Sequence, residues 1–201
     1  MTAALAAVIT LTTAPSKPAS PPPEFGNDAT DATMPDKPSD GGAASPPPRA
    51  QAPSPPQRIL VPSVGLDARI RPVGVTERGD LAVPSDSGVA GWYRFGPAPG
   101  SARGSSVLVG HVDSDTGDLG EFAALYDVEP GDRVDVRRAG AAPARYRITA
   151  RAVVASDAIP ASAFSRSGMP VLTLVTCAPP FLPEHGGYQA NLLVTAELIT
   201  G

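Results

Sequence analysis

Arg145-Tyr146-Arg147-Ile148-Thr149-Ala150-Arg151-Ala152-Val153 alternates between polar and apolar residues with a period of two. On an extended strand this pattern sends one face into a core and leaves the other in water; on a helix the same residues would scatter around the axis. The surrounding chain repeats the signal. Short apolar runs at 59–61, 68–75, 81–83, 106–110, 133–137, 145–154, 171–177 and 190–199 are each of strand length. They are bounded by turn sequences such as Arg78-Gly79-Asp80 and Glu129-Pro130-Gly131-Asp132. Only 119–126 reads as helical, with Leu119, Phe122, Ala123 and Tyr126 at three- and four-residue spacing. So many strands in a stretch of this length predict an all-β domain, a closed barrel or a sandwich.

The strands begin only at Arg58. Of the 25 prolines among the 201 residues, 13 lie in residues 1–57, including Pro21-Pro22-Pro23 and Pro46-Pro47-Pro48. Phe25 and Met34 are the only large apolar side chains between Ser16 and Gln57. Such a stretch buries too little apolar area to offset its ordering entropy, and repeated proline favours an extended spacer. Residues 15–57 are therefore expected to form a disordered Pro/Ala/Ser-rich stalk. Residues 1–14 are uncharged and apolar, but shorter than the ~20 residues of a bilayer span and without the basic residues of a signal n-region. They read as a truncated membrane anchor or a weak export signal. Together these segments predict an exported domain, 58–201, tethered by its N-terminus.

Net charge −4 and pI near 5.1 exclude the basic footprint of a nucleic-acid binder. One cysteine and two histidines exclude a disulfide framework and leave no set of metal ligands, and no cofactor motif is visible. The chemistry therefore rests on few residues. Cys177 closes the run 171–177 and is followed by Ala178-Pro179-Pro180; a thiol at the rigid end of a strand suits a nucleophile. Its other reading is a small buried hydrophobe. His111 closes the run 106–110 in the same way, after Gly110, which permits close backbone approach. Its other reading is a hydrogen-bonded structural histidine. Should the two strand ends meet, they supply a nucleophile and a proton carrier for acyl transfer.

Gly110-His111-Val112-Asp113, Leu172-Thr173-Leu174-Val175-Thr176-Cys177 and Gly187-Tyr188-Gln189-Ala190-Asn191 resemble, in that order, the sortases. Val83-Pro84-Ser85-Asp86 and Gly91-Trp92-Tyr93 are similar to the class F branch of actinobacteria. The resemblance implies an eight-stranded β-barrel with one or two short helices. It also implies a cysteine transpeptidase that cuts a sorting signal like Leu-Pro-x-Thr-Gly between Thr and Gly. Cys177 would form the thioester, and His111 would protonate the leaving amine and deprotonate the incoming one. Partners would be proteins bearing the signal and an amine acceptor such as a peptidoglycan precursor, at the extracytoplasmic membrane face.

The family's Tyr-Arg-x-Asn stands here as Tyr188-Gln189-Ala190-Asn191, so Gln189 occupies the place of the arginine that steadies the oxyanion. A neutral donor contributes ~1 kcal/mol where a charged one contributes roughly 1.5–3. Asn191, two residues on, shares its strand face and offers a second amide. Thr176 and Asn191 beside the nucleophile, Asp113 beside the imidazole and Trp92 as a groove wall complete the expected substrate contacts. Two other readings stand beside the active enzyme: a weakened homologue that binds sorting-signal peptides, and an exported β-domain without catalysis.

Overall fold

The computed structural model describes residues 20–26, 54–114 and 116–200. Alternation carries directly into its wall. In β2 (Leu66–Val73) Leu66, Ala68 and Ile70 are buried while Asp67, Arg69 and Arg71 are exposed. The remaining strands are β1 (Pro56–Val61), β3 (Val89–Tyr93), β4 (Ser105–Val109), β5 (Arg133–Arg138), β6 (Ala141–Ala155), β7 (Val171–Leu182) and β8 (Gly187–Leu198). They close into a barrel in the order β1-β2-β3-β4-β7-β8-β6-β5. Closure leaves no unpaired sheet edge around the ring. The β2–β3 and β4–β7 ladders are parallel and the other six antiparallel.

Two apolar layers follow from this closure. Ile59, Leu108, Tyr146, Leu174 and Leu192 fill the interior with their neighbours. Val107, Val109, Val175 and Leu193 form a patch on the opposite face of β4, β7 and β8. Leu81, Tyr93, Ile159 and Phe164 pack over that patch. The short helix Ala161–Phe164 contributes Phe164 to this cover.

Several expectations change. Residues 81–83 form no strand; Leu81 makes only an isolated bridge with Val75. The eighth strand is instead β3, whose Val-Ala-Gly-Trp-Tyr sequence lacks alternation because its first three residues are all buried. The helical segment is a 3-10 helix, Glu121–Tyr126, that buries Phe122, Ala123 and Leu125. Cys177 does not end its strand: β7 continues to Leu182, through an irregularity in register between Ala178 and Phe181. β6 also shifts register, between Ile148 and Ala150. A bulge of this kind reverses which face each later residue takes. Arg151, on the solvent face by simple alternation, is therefore buried, with 6% of its surface exposed.

Within the stretch read as stalk, residues 20–26 dock on β6, with Phe25 bridged to Arg151. The rest of that reading, and the whole of residues 1–14, lie outside the described residues. Among the described residues no helix is long and apolar enough to cross a membrane.

On the outer wall Arg58 of β1 grips Asp67 of β2 with its Nε and, at 2.8 Å, with Nη2. This holds the Asp67 carboxyl below the usual aspartate range, chiefly by the Arg58 hydrogen bond. A folded-state pKa lowered in this way favours folding above the unfolded pKa, and the benefit is lost as pH falls through the folded value. The pair is exposed, so its effect is small. Asp67→Asn is expected to leave stability near pH 7 almost unchanged and to flatten its decline below about pH 4, as read by urea titrations at stepped pH.

Candidate active site

Strand register brings the two strand-end residues together. In the parallel β4–β7 ladder the last paired residues are Val109 and Val175, and Gly110 N–H donates to the Val175 carbonyl at 3.1 Å. Two residues beyond that pair, on adjacent chains, come His111 and Cys177. Adjacent strands lie about 4.8 Å apart, so the two side chains belong to neighbouring positions on one face. Across the antiparallel β7–β8 ladder, Cys177 pairs with Asn191. Cys177 is half-buried and so open to a reactant.

Both His111 and Cys177 line two adjoining cavities. One, of about 480 Å³, has Val109 and Val175 at its floor and Leu81, Val83, Ile159 and Phe164 along its sides, with Thr176 and Asn191 beside the sulfur. The other, of about 530 Å³, is lined by Asp113, Ser114, Phe181, Gly187 and Tyr188. Tyr188 reaches both, stacks edge-on against Phe181 at 5.0 Å between centroids, and donates to Asp113 Oδ2 at 2.9 Å. The result is an apolar channel on one side of the thiol and a polar one on the other. Among the described residues no lysine or arginine lines either.

The imidazole is held from the loop before β3. His111 Nε2 lies 2.6 Å from the Pro84 carbonyl oxygen, an acceptor only, so Nε2 carries the proton and donates. In the neutral ring Nδ1 is then the acceptor. Just before His111 the backbone runs close against Phe122: a Cβ at Gly110 would fall 2.6 Å from Phe122 Cγ, too near for any residue but glycine without a shift. The carbonyl of His111 in turn accepts from Phe122 N–H at 3.2 Å. Tyr126, at the end of the same 3-10 helix, donates its hydroxyl to the Cys177 carbonyl at 2.9 Å. Burial first, then the nearby Tyr188, Cys177 and Asp113, push the Tyr126 phenol well above its ordinary range, so it stays a donor.

The other expected residues divide. Thr176 is 1% exposed, and its Oγ1 has no hydrogen-bond partner among the described residues. Asn191 donates to the Ser156 carbonyl at 3.2 Å from a position on the cleft wall. Asp113 lines the polar channel and accepts from the Tyr188 hydroxyl. Gln189 lines neither cavity; its amide donates to the carbonyls of Gly187 (2.8 Å) and His185 (3.3 Å) within its own loop. Trp92 packs against the barrel interior and donates to the Pro97 carbonyl at 3.3 Å, away from both channels. His185 is exposed beside Glu184. Among the described residues no group of three His, Cys, Asp or Glu side chains is placed to hold a metal ion. Sequence reading missed the Pro84 carbonyl, the Tyr126 hydroxyl and the walls Leu81, Ile159 and Phe164. Tyr126 carried a signal, its helical spacing, but that spacing reports packing and not the reach of a hydroxyl.

The family model for the sortase domain matches residues 59–199. The chain belongs to the sortase family. Sortases are typically cell-surface cysteine transpeptidases that act on sorting-signal substrates. Among solved structures, sortase C-1 from Actinomyces oris is similar at 25% identity and TM-score 0.55, over 72% of this chain and 73% of that one. Sortase C2 of Group B Streptococcus pilus island 1 follows at 24% and 0.56, over 72% and 73%. Sortase A of Listeria monocytogenes shares the fold at 19% and 0.52, over 72% and 86%. A search of curated protein sequences found no match.

Proposed function

We propose that this sortase cleaves a Leu-Pro-x-Thr-Gly-like signal between Thr and Gly and transfers the acyl part to an amine or to water. The Cys177 thiol passes its proton to His111 Nδ1 and the sulfur attacks the threonine carbonyl carbon; the C–N bond to glycine breaks, and His111 Nδ1–H gives that proton to the leaving nitrogen. An incoming amine then returns a proton to His111 as it attacks the thioester, releasing the thiolate. The observation that carries this reading is the shared cleft: His111 and Cys177 line the same two cavities, one with an apolar floor suited to the Leu-Pro end of the signal. The resemblance of residues 83–86 and 91–93 favours the class F branch, and residues 1–14 act as membrane anchor or weak export signal for a domain at the extracytoplasmic membrane face. The amine is of the peptidoglycan-precursor kind.

A second reading has its own observation: among the described residues no lysine or arginine lines the cleft, and the Gln189 amide is spent on the carbonyls of Gly187 and His185. On that reading the protein is a weakened homologue that holds sorting-signal peptides. Asn191 pairs with Cys177 in register and lines the apolar cavity, and the amide N–H that its bond to the Ser156 carbonyl leaves over takes the role of oxyanion donor in the active enzyme. Cleavage of an internally quenched Leu-Pro-x-Thr-Gly peptide, with and without added amine, tests the two together. Amine-dependent release by the unaltered chain supports the transpeptidase. Binding without release, turned into release by Gln189→Arg with a gain of about 10²-fold, supports the weakened homologue. Neither binding nor cleavage rejects both.

A further inference from the structure

Beyond its register shift, β6 has left β5, whose ladder with it ends at Arg147. The backbone of Arg151 and the N–H of Val153 are satisfied instead by the segment 23–26. Phe25 and Arg151 exchange two backbone hydrogen bonds, of 2.9 and 2.8 Å, and Glu24 Oε1 accepts from Val153 N–H at 2.9 Å. Gly26 follows in the left-handed region at φ +74°, and a Cβ there would lie 2.1 Å from the Thr149 carbonyl oxygen. That contact admits only glycine.

The Arg151 side chain runs inward and joins this strap to the site. Its guanidinium lies 4.8 Å from the centre of the Phe25 ring. Nε donates to the Pro23 carbonyl at 2.9 Å, and Nη1 donates to the carbonyls of Tyr126 (2.7 Å) and Val128 (2.8 Å). Tyr126, gripped by its backbone, presents its hydroxyl to the Cys177 carbonyl at 2.9 Å. A hydrogen bond on that carbonyl fixes the peptide plane that carries the sulfur.

We infer that Tyr126 is a positioning residue for Cys177, and that residues 23–26, clamped through Arg151, hold Tyr126 in place. The inference rests on the reading of Cys177 as the nucleophile, which the proposal above supplies. It makes a short piece of the proline-rich region a working part of the catalytic domain. Tyr126 acts through the backbone of Cys177, whose carbonyl its hydroxyl holds.

The full chain is compared with Tyr126→Phe, Gly26→Ala, Glu24→Ala and the double variant Tyr126→Phe/Gly26→Ala. Two readouts are used: the pH profile of Cys177 alkylation by iodoacetamide, with Asp80, His111, Asp113, Tyr126, Asp157 and Tyr188 as the titratable groups around it, and the kcat and KM of peptide cleavage. Tyr126→Phe is expected to shift the alkylation profile and to lower kcat about 10-fold with KM within about two-fold. Gly26→Ala should move both in the same direction by less, and the double variant should be no worse than Tyr126→Phe alone, since contacting partners are non-additive. Exposed Glu24→Ala gives the milder form of the strap effect where Gly26→Ala disturbs folding, as monitored by circular dichroism. An alkylation profile and kcat unchanged by Tyr126→Phe, or strictly additive effects, overturn the inference. If the wild type cleaves peptide while Tyr126→Phe matches it, only the positioning role falls. If no variant and no wild type forms an acyl-enzyme, the nucleophile reading falls, and the alkylation profiles alone still decide the positioning.

Discussion

Cys177→Ala is expected to remove peptide cleavage altogether, a fall of at least about 10⁴-fold in kcat, while the fold stays intact. The size follows from the chemistry. Without the sulfur there is no thioester, and His111 has no nucleophile whose charge it can balance. The substitution should cost little in stability, because Cys177 lies at the open cleft and not in the sealed interior. His111→Ala should cost nearly as much in turnover, and the two losses should not add, since residues that act as one unit fail together. Cleavage of the quenched peptide by the two single variants and by the double variant Cys177→Ala/His111→Ala, with unfolding curves beside it, checks this. Retained turnover in Cys177→Ala would place the chemistry elsewhere.

The largest effect on stability is expected from Phe122→Ala. Phe122 is 1% exposed and fills the space that Gly110 leaves open under the His111 backbone. Truncating a buried phenylalanine costs about 3–5 kcal/mol through lost transfer energy and the cavity left behind. For a domain of this size that lowers Tm by roughly 10 °C or more. It should also slow turnover in the molecules that remain folded, because Phe122 N–H bonds the His111 carbonyl and its ring sets the floor beneath Gly110. Differential scanning calorimetry and kcat measured well below the new Tm separate the two effects. A Tm within about 2 °C of wild type would mean that the site has collapsed around the missing ring.

Alternation made the barrel legible wherever a strand is buried on one face. β2 and the first half of β6 follow their sequences residue by residue. Where both faces are covered, period two vanishes. That hid β3, whose Val89, Ala90 and Gly91 are all buried. Bulges are equally silent in sequence, and one of them turned Arg151 from a solvent-facing residue into a buried clamp. His111 and Cys177 could be set side by side from the sequence because each lies two residues past the last pair of one parallel ladder, a regularity that survives without knowledge of the loops. Gln189 and Trp92 depended on loop conformation. The β7–β8 loop offers the Gln189 amide two carbonyls, and the loop after β3 offers the Trp92 indole one. Phe25 looked like an isolated apolar residue in a spacer because its partner, Arg151, lies 126 positions away in the sequence.

The central claim is that the sulfur of Cys177 takes the acyl group of a peptide from within the cleft it shares with His111. Intact-mass spectrometry of the protein, quenched in acid after brief mixing with a Leu-Pro-x-Thr-Gly peptide, tests it most directly. The account predicts a mass increase equal to the peptide's acyl fragment ending at threonine. That adduct should map to Cys177, disappear on treatment with hydroxylamine and be absent from Cys177→Ala. An unmodified mass at every mixing time, under conditions where the peptide is cleaved, would contradict it.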